Sequence, residues 1–155
     1  MDNLQEIRTY ASSLGLIHTK NGLETLIHTA ETGESSYVTF LQDVLGSEIR
    51  YRQDKAKEKR IKEAGFPYPK YLKDFDLSFC QSITKKQLNQ LSELTWIDGL
   101  YNLILSGPPG VGKTHMAIAL AYHACEEGYK ASYTTMQSLM QCLRTCEIDR
   151  RSKAK

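Results

Sequence analysis

Leu103-Ile104-Leu105-Ser106-Gly107-Pro108-Pro109-Gly110-Val111-Gly112-Lys113-Thr114-His115 is the stretch that decides how this chain is read. Gly107 to Thr114 fits G-x-x-x-x-G-K-[ST] at every defined position. Its glycines let the backbone curl until successive N–H groups converge on phosphate oxygens. A helix starting near Gly112 turns its free N–H groups, and the positive end of its dipole, toward the same anion. Lys113 supplies a mobile positive charge for the β- and γ-phosphates, and the Thr114 hydroxyl is placed to ligate Mg2+. The context matches the motif. The apolar segment Leu103-Ile104-Leu105 reads as a strand entering the turn. The helix after it carries Met116, Leu120 and Ala124 on one side, with Gly128 as its stop. The expected nucleotide site is therefore Gly107, Pro108, Pro109, Gly110, Val111, Gly112, Lys113 and Thr114, with His115 adjoining. Thr114 is the expected metal ligand, ATP and Mg2+ are the expected cofactors, and no residue is assigned a catalytic role.

Outward from the loop, residues 100–155 have an α/β rhythm. Ala131–Thr134 reads as a second strand, and Thr134-x-x-Gln137 as a capping box. The helix it opens spaces Met136, Leu139, Met140 and Leu143 at i, i+3, i+4 and i+7. Trp96 and Tyr101 either pack near the base of the first strand or flank an adenine. His115 is expected in the first helical turn and His123 on the helix surface. Glu93 and Asp98 form no acid/base couple.

Residues 66–99 form a connector. Phe66-Pro67-Tyr68-Pro69 excludes helix, because each proline biases the preceding residue to an extended conformation. Phe75, Leu77 and Phe79 alternate as an extended segment would. Ser82 or Thr84 then caps a helix ending near Leu94.

Residues 1–65 read as helical. Leu4, Ile7, Ala11 and Leu14 recur at helical spacing before Gly15. Asn21-Gly22 and Thr32-Gly33-Glu34 read as turns around a short helix. Ser36 caps a longer helix that puts Phe40, Leu41, Val44, Leu45 and Ile49 on one face, which needs a partner helix. That helix runs to Gly65.

The charge is unevenly spread. Residues 1–49 hold seven acids and two bases, whereas residues 50–62 hold seven bases and two acids. The basic block is either a solvated helix face or a helix contacting DNA phosphates. No run approaches 18 apolar residues and no secretory signal is visible, so membrane association is not expected. Cys80, Cys125, Cys142 and Cys146 match no zinc or redox spacing and read as reduced thiols of a cytoplasmic protein.

The segment NLILSGPPGVGKTHMAIAL, Asn102–Leu120, resembles the IstB/DnaC-like AAA+ ATP-binding proteins. The resemblance extends upstream through FPYPKYLKDFDLSF and Leu94-Thr95-Trp96-Ile97, and downstream through EEGYKASYTTMQSLMQCLR. It is strongest to the transposition helper proteins of insertion sequences. It implies a small helical domain followed by part of a three-layer α/β/α P-loop domain. It also implies an ATPase that self-associates in full-length form and works with a transposase on DNA. Residues 1–65 would then be a partner- or DNA-binding region.

Where the family carries a Walker B acidic pair, a sensor residue and an arginine finger, no counterpart follows Thr114. The chain therefore reads as the front part of a longer protein, expected to bind ATP and hydrolyse it negligibly. The competing readings are a DnaC-like helicase loader, a non-catalytic interaction module, and a small-molecule kinase. About a hundred residues precede the loop, which places the kinase last.

Overall fold

The computed structural model of the protein describes residues 3–33, 35–75, 77 and 83–153, apart from the side chains of 146–153. Among these residues the chain forms two compact units, Met1–Ala56 and Lys57–Lys155.

The first unit contains α1 (Asn3–Ser13), α2 (Ile17–Thr32) and the first part of α3 (Tyr37–Ala64). Gly15 sits at φ +68° in the turn between α1 and α2, where Leu16 N–H donates to the Ala11 carbonyl at 2.7 Å. Arg8 on α1 reaches Glu24 on α2 at 2.6 Å. Ser36 caps α3 as expected, its hydroxyl accepting from Thr39 N–H at 3.2 Å. Asn21-Gly22 is not a turn. Both residues lie inside α2, because the contacts of Thr19 and Leu23, both buried, hold the helix through them. This is packing overriding local turn propensity. The expected apolar face of α3 is only partly covered: Phe40 and Val44 are half-buried, whereas Leu41, Leu45 and Ile49 stay 58%, 55% and 56% exposed.

The second unit is built around α6 (Lys113–Glu126). Met116, Ile118, Ala119, Leu120, Ala124 and Cys125 are all buried, so α6 is enclosed on nearly every side and not on the single stripe that the sequence suggests. Met116 and Leu120 join Leu88 of α4 (Lys85–Ser92) in the core. Leu72 and Phe75, from a 3-10 turn at Leu72–Asp74 and its end, pack against them. Thr84 caps α4 through a complete capping box with Gln87. The α4–α5 region bends sharply: Leu94 and Leu100, at φ 58° and 56°, bracket α5 (Thr95–Asp98). The last residues of α3 belong here. Lys57 pairs with Glu126 at 2.6 Å, and Arg60 donates to the Cys125 carbonyl at 2.9 Å. A cation thereby meets the negative end of the α6 dipole.

The expected α/β/α layers are not found: among the described residues there is no β-strand. The stretches 101–107 and 129–135 have no helix, as expected of strands, but neither carries a ladder. Leu103 and Leu105 of the one and Tyr129 and Ala131 of the other line a common cavity of about 390 Å3. A strand exists only as half of a hydrogen-bonded pair, and no backbone hydrogen bond joins the two stretches among the described residues. The segment around Phe75 also departs from the strand reading, since Leu77 is in 3-10 geometry; Phe79 and Ser82 lie outside the described residues. The helix after 135 is α7 (Met136–Lys153), but its cap is Thr135, not Thr134. The Thr135 hydroxyl accepts from Ser138 N–H at 3.1 Å.

In the first unit the tightest constraint is electrostatic. Glu48 is 4% exposed, and its carboxylate accepts from Thr19 N–H at 3.1 Å and from Arg52 at 3.2 Å. Arg52 also donates to the Gly15 carbonyl at 2.9 Å, so one ion pair ties α3 to the α1–α2 turn and to the first turn of α2. Burial pushes the Glu48 carboxyl up, but the Thr19 and His18 N–H groups and Arg52 together hold it below its ordinary value. A depressed carboxylate stabilises the fold above the unfolded-state pKa, and that contribution is lost as pH falls through the folded value. Glu48→Ala is expected to lower unfolding stability by about 1–3 kcal/mol in urea titration at neutral pH. The difference from wild type should shrink below about pH 4.5. An equal stability at neutral pH would rule out this clamp.

Candidate functional site

The loop Gly107–Thr114 is positioned by α6, which it enters through Gly112. Gly112 is the N-cap residue at φ 85°, ψ 13°, and no side chain caps the helix. The first N–H groups of α6 therefore face outward from a buried helix with no side-chain acceptor, the condition for an anion site. Gly107 and Gly110 also have positive φ, at 153° and 85°. A Cβ at Gly110 would meet nothing within 4 Å, so its glycine serves the backbone path, not packing. Gly112 needs glycine twice over: its φ is left-handed, and a Cβ would come within 3.2 Å of the Phe75 ring.

Each residue of the expected site is described. Pro108 and Pro109 form the exposed tip with Gly110, while Val111, Gly112 and Lys113 are half-buried. The Lys113 ammonium folds back over the loop and donates to the Pro108 carbonyl at 2.6 Å. Thr114 is exposed in the first turn of α6. His115 turns inward, edge-on to Phe75 with ring centroids 5.4 Å apart, and its Nε2 is buried without a partner. A hydroxyl at Thr114 offers Mg2+ one ligand. Among the described residues no group of three His, Cys, Asp or Glu side chains gathers to hold a metal. A cation here would depend on phosphate oxygens and water for its other ligands.

A cavity of about 440 Å3 opens beside the loop. Gly107, Gly112 and Lys113 border one part of it, and Ile83, Gln87, Gln90 and Leu91 from α4 and its approach border another. Leu105 and Met116 contribute apolar wall.

Other residues singled out from sequence fall elsewhere. Trp96 and Tyr101 line the separate 390 Å3 cavity, away from the loop. Trp96 Nε1 donates to the Leu91 carbonyl at 3.0 Å, and Tyr101 is 73% exposed, so it does not pack as expected. His123 is half-buried, with Nε2 3.0 Å from the Ser92 carbonyl, not simply on the surface. Asp98 accepts from the Tyr129 hydroxyl at 2.8 Å. Cys125 is a buried free thiol, pushed up in pKa by that burial, and Cys142 is an exposed free thiol. Cys80 lies outside the described residues, as does the Cys146 side chain. No helix among the described residues is long and apolar enough to cross a membrane. Sequence reading missed Phe75 as the floor of Gly112 and the α4 glutamines as cavity lining. The alternation Phe75-x-Leu77 marked an apolar segment but gave no sign of what it covers.

Comparison with known proteins follows the same stretch. The family description "IstB-like ATP binding protein" matches residues 9–155. An IS21-like insertion-sequence ATP-binding protein of Bacteroides fragilis is 34% identical over 144 residues, covering 93% of this chain and 55% of the relative. A second, from Bacteroides fragilis strain YCH46, is 36% identical over 146 residues, covering 94% of this chain and 73% of the relative. An IS21 insertion-sequence ATP-binding protein of Pseudomonas aeruginosa is 33% identical over 148 residues, covering 96% and 56%. The chain thus spans between about half and three quarters of the length of these relatives.

Gly112→Ala tests the loop geometry. Left-handed backbone at a non-glycine residue costs about 1–2 kcal/mol, and the added methyl presses on Phe75. Thermal unfolding of the variant is expected at lower temperature than wild type, and an unchanged midpoint would show that the loop does not need this conformation.

Proposed function

The chain belongs to the IstB-like ATP binding protein family, and on that premise we propose that it binds ATP with Mg2+ through Gly107–Thr114 and serves as a helper of DNA transposition alongside a transposase. The observation that carries the first half is the uncapped start of a buried helix, reached through left-handed glycines, with Lys113 at its first position. The Lys113 ammonium, which gives one N–H to the Pro108 carbonyl, has two more for the terminal phosphates. Thr114 holds the metal, and the N–H groups of the α6 first turn take phosphate oxygens. The names of the relatives refer to insertion sequences, which favours transposition over helicase loading for this chain.

The DNA half of the reading rests on α3. Of its seven bases between positions 50 and 62, Arg52 is held by Glu48 and the Gly15 carbonyl, Lys57 by Glu126 and Arg60 by the Cys125 carbonyl, while Lys59 pairs with Glu63 on the helix surface at 3.8 Å. Arg50, Lys55, Lys59 and Lys62 are exposed. Lys55, Lys59 and Lys62 recur at i, i+4 and i+7, one helical face, which suits a row of phosphates. Contacts of this kind position a protein on DNA without reading bases.

Two measurements test these assignments. Lys113→Ala removes the charge for the terminal phosphates, and charge-assisted contacts are worth roughly 1.5–3 kcal/mol. ATP affinity in a titration should fall by about 10- to 100-fold, and an unchanged affinity would remove the loop from the site. For DNA, Arg50, Lys55, Lys59 and Lys62 are replaced by glutamine, leaving Arg52, Lys57 and Arg60 in place. Binding to duplexes of unrelated sequence should weaken equally, and the slope of log affinity against log salt should flatten by about 0.9 per lost phosphate contact. ATP affinity should be retained. Unaltered DNA affinity and slope would make the block a solvated face.

A further inference from the structure

We propose that the last turn of α6 holds a divalent transition-metal ion, with His123 Nδ1 and Glu126 Oε2 as its two protein ligands. The pair is independent of the phosphate loop, which enters the same helix at its other end. His123 Nε2 lies 3.0 Å from the Ser92 carbonyl. A carbonyl only accepts, so Nε2 carries the hydrogen, and Nδ1 of the neutral ring keeps its lone pair. Nδ1 lies 3.8 Å from the Glu126 Oε2. Two acceptors that close repel each other unless a cation joins them. A proton fits the gap poorly, because an N–H···O bond spans about 2.7–3.2 Å. A metal fits it better. Zn2+ takes imidazole nitrogen and carboxylate oxygen at about 2.0–2.2 Å each, so one ion between the two atoms reaches both.

The remaining polar atom of each ligand is already held. His123 Nε2–H is given to the Ser92 carbonyl at the end of α4, and the Glu126 Oε1 accepts from the Lys57 ammonium of α3 at 2.6 Å. Outer contacts of this kind fix the tautomer of a metal-binding imidazole and orient a metal-binding carboxylate. The two residues stand three apart on one helix face, and both are half-buried. They line a cavity of about 350 Å3 with Tyr71 and Tyr122, which leaves room for the waters that complete the coordination. Lys73 borders the same cavity, but its ammonium rests over the Tyr71 ring, 5.3 Å from the centroid. The negative end of the α6 dipole adds attraction for a cation. The Lys57 charge opposes a dication, and two protein ligands hold an ion less firmly than three or four, so the site is an exchangeable one. Its nitrogen ligand selects Zn2+ and its neighbours over Mg2+, which separates it from the ion expected at the triphosphate.

The test titrates the 155-residue chain with Zn2+ and, in parallel, with Mg2+, in the absence of nucleotide. Cys80, Cys142 and Cys146 are changed to serine throughout, so that thiols do not compete for the metal. Long-range proton–nitrogen NMR follows the ring nitrogens of His18, His28, His115 and His123. Zn2+ should move the His123 Nδ1 signal, leave the other three rings in place and raise the thermal midpoint. Mg2+ should do neither. Glu126→Gln keeps an oxygen for Lys57 and should weaken Zn2+ binding at least about tenfold, the scale of disturbing a metal site's ligand environment. His123→Ala should abolish it. The NMR reading is taken on a chain with both ligands intact, so it does not depend on either variant folding. A His123 Nδ1 signal unmoved by Zn2+ would overturn the proposal, as would Zn2+ affinity unaltered in Glu126→Gln or Mg2+ binding as tight as Zn2+. A signal that answers only to pH would make the occupant a proton and overturn it equally.

Discussion

A helix buried on nearly every side but left open at its first turn is the constraint on which the second unit depends. Enclosing α6 requires small and apolar residues around its circumference, and Ile118, Ala119, Leu120, Ala124 and Cys125 meet that requirement. Leaving its start open requires a residue before it that neither caps nor blocks, which is Gly112. The far end is treated in the opposite way: Arg60 and Lys57 bring positive charge to the last turn. The helix dipole is answered by the protein at one end and left for a ligand at the other.

The first unit solves a different problem. Its helices bury little apolar surface, and Ala11 and Leu23 are its only buried hydrophobic residues among those described. A buried carboxylate supplies what packing does not. Glu48 fixes the start of α2 and, through Arg52, the turn before it. Such a network specifies a register more sharply than apolar contact does, but it tolerates the loss of neither partner.

What the sequence made legible follows from how local each signal is. The phosphate-loop motif, the caps at Ser36 and Thr84, and the stops at Gly65 and Gly128 are set by a few adjacent residues, and each was readable. Thr134 and Thr135 differ by one position because both are threonines followed three residues on by a polar side chain. The strands were misread for the reverse reason. Leu103-Ile104-Leu105 is apolar and β-branched enough for a strand, but pairing depends on a distant segment at the right spacing, which periodicity does not encode. The turn expected at Asn21-Gly22 failed because Thr19 and Leu23 on either side are buried. The cavity lining was illegible for the same reason: nothing in the spacing of Gln87 and Gln90 says that they border the loop. The family resemblance was legible because it rests on contiguous segments around the loop, and the match over residues 9–155 bears it out.

The bond between Lys113 and the Pro108 carbonyl, at 2.6 Å, uses one of the three N–H donors of the ammonium. The other two remain for phosphate oxygens, and the positive charge is undiminished by a neutral partner. The tie holds a long, flexible side chain over the loop before any anion arrives. Less rotamer freedom is then lost when a ligand is captured, which is preorganisation of the charge by the loop's own backbone.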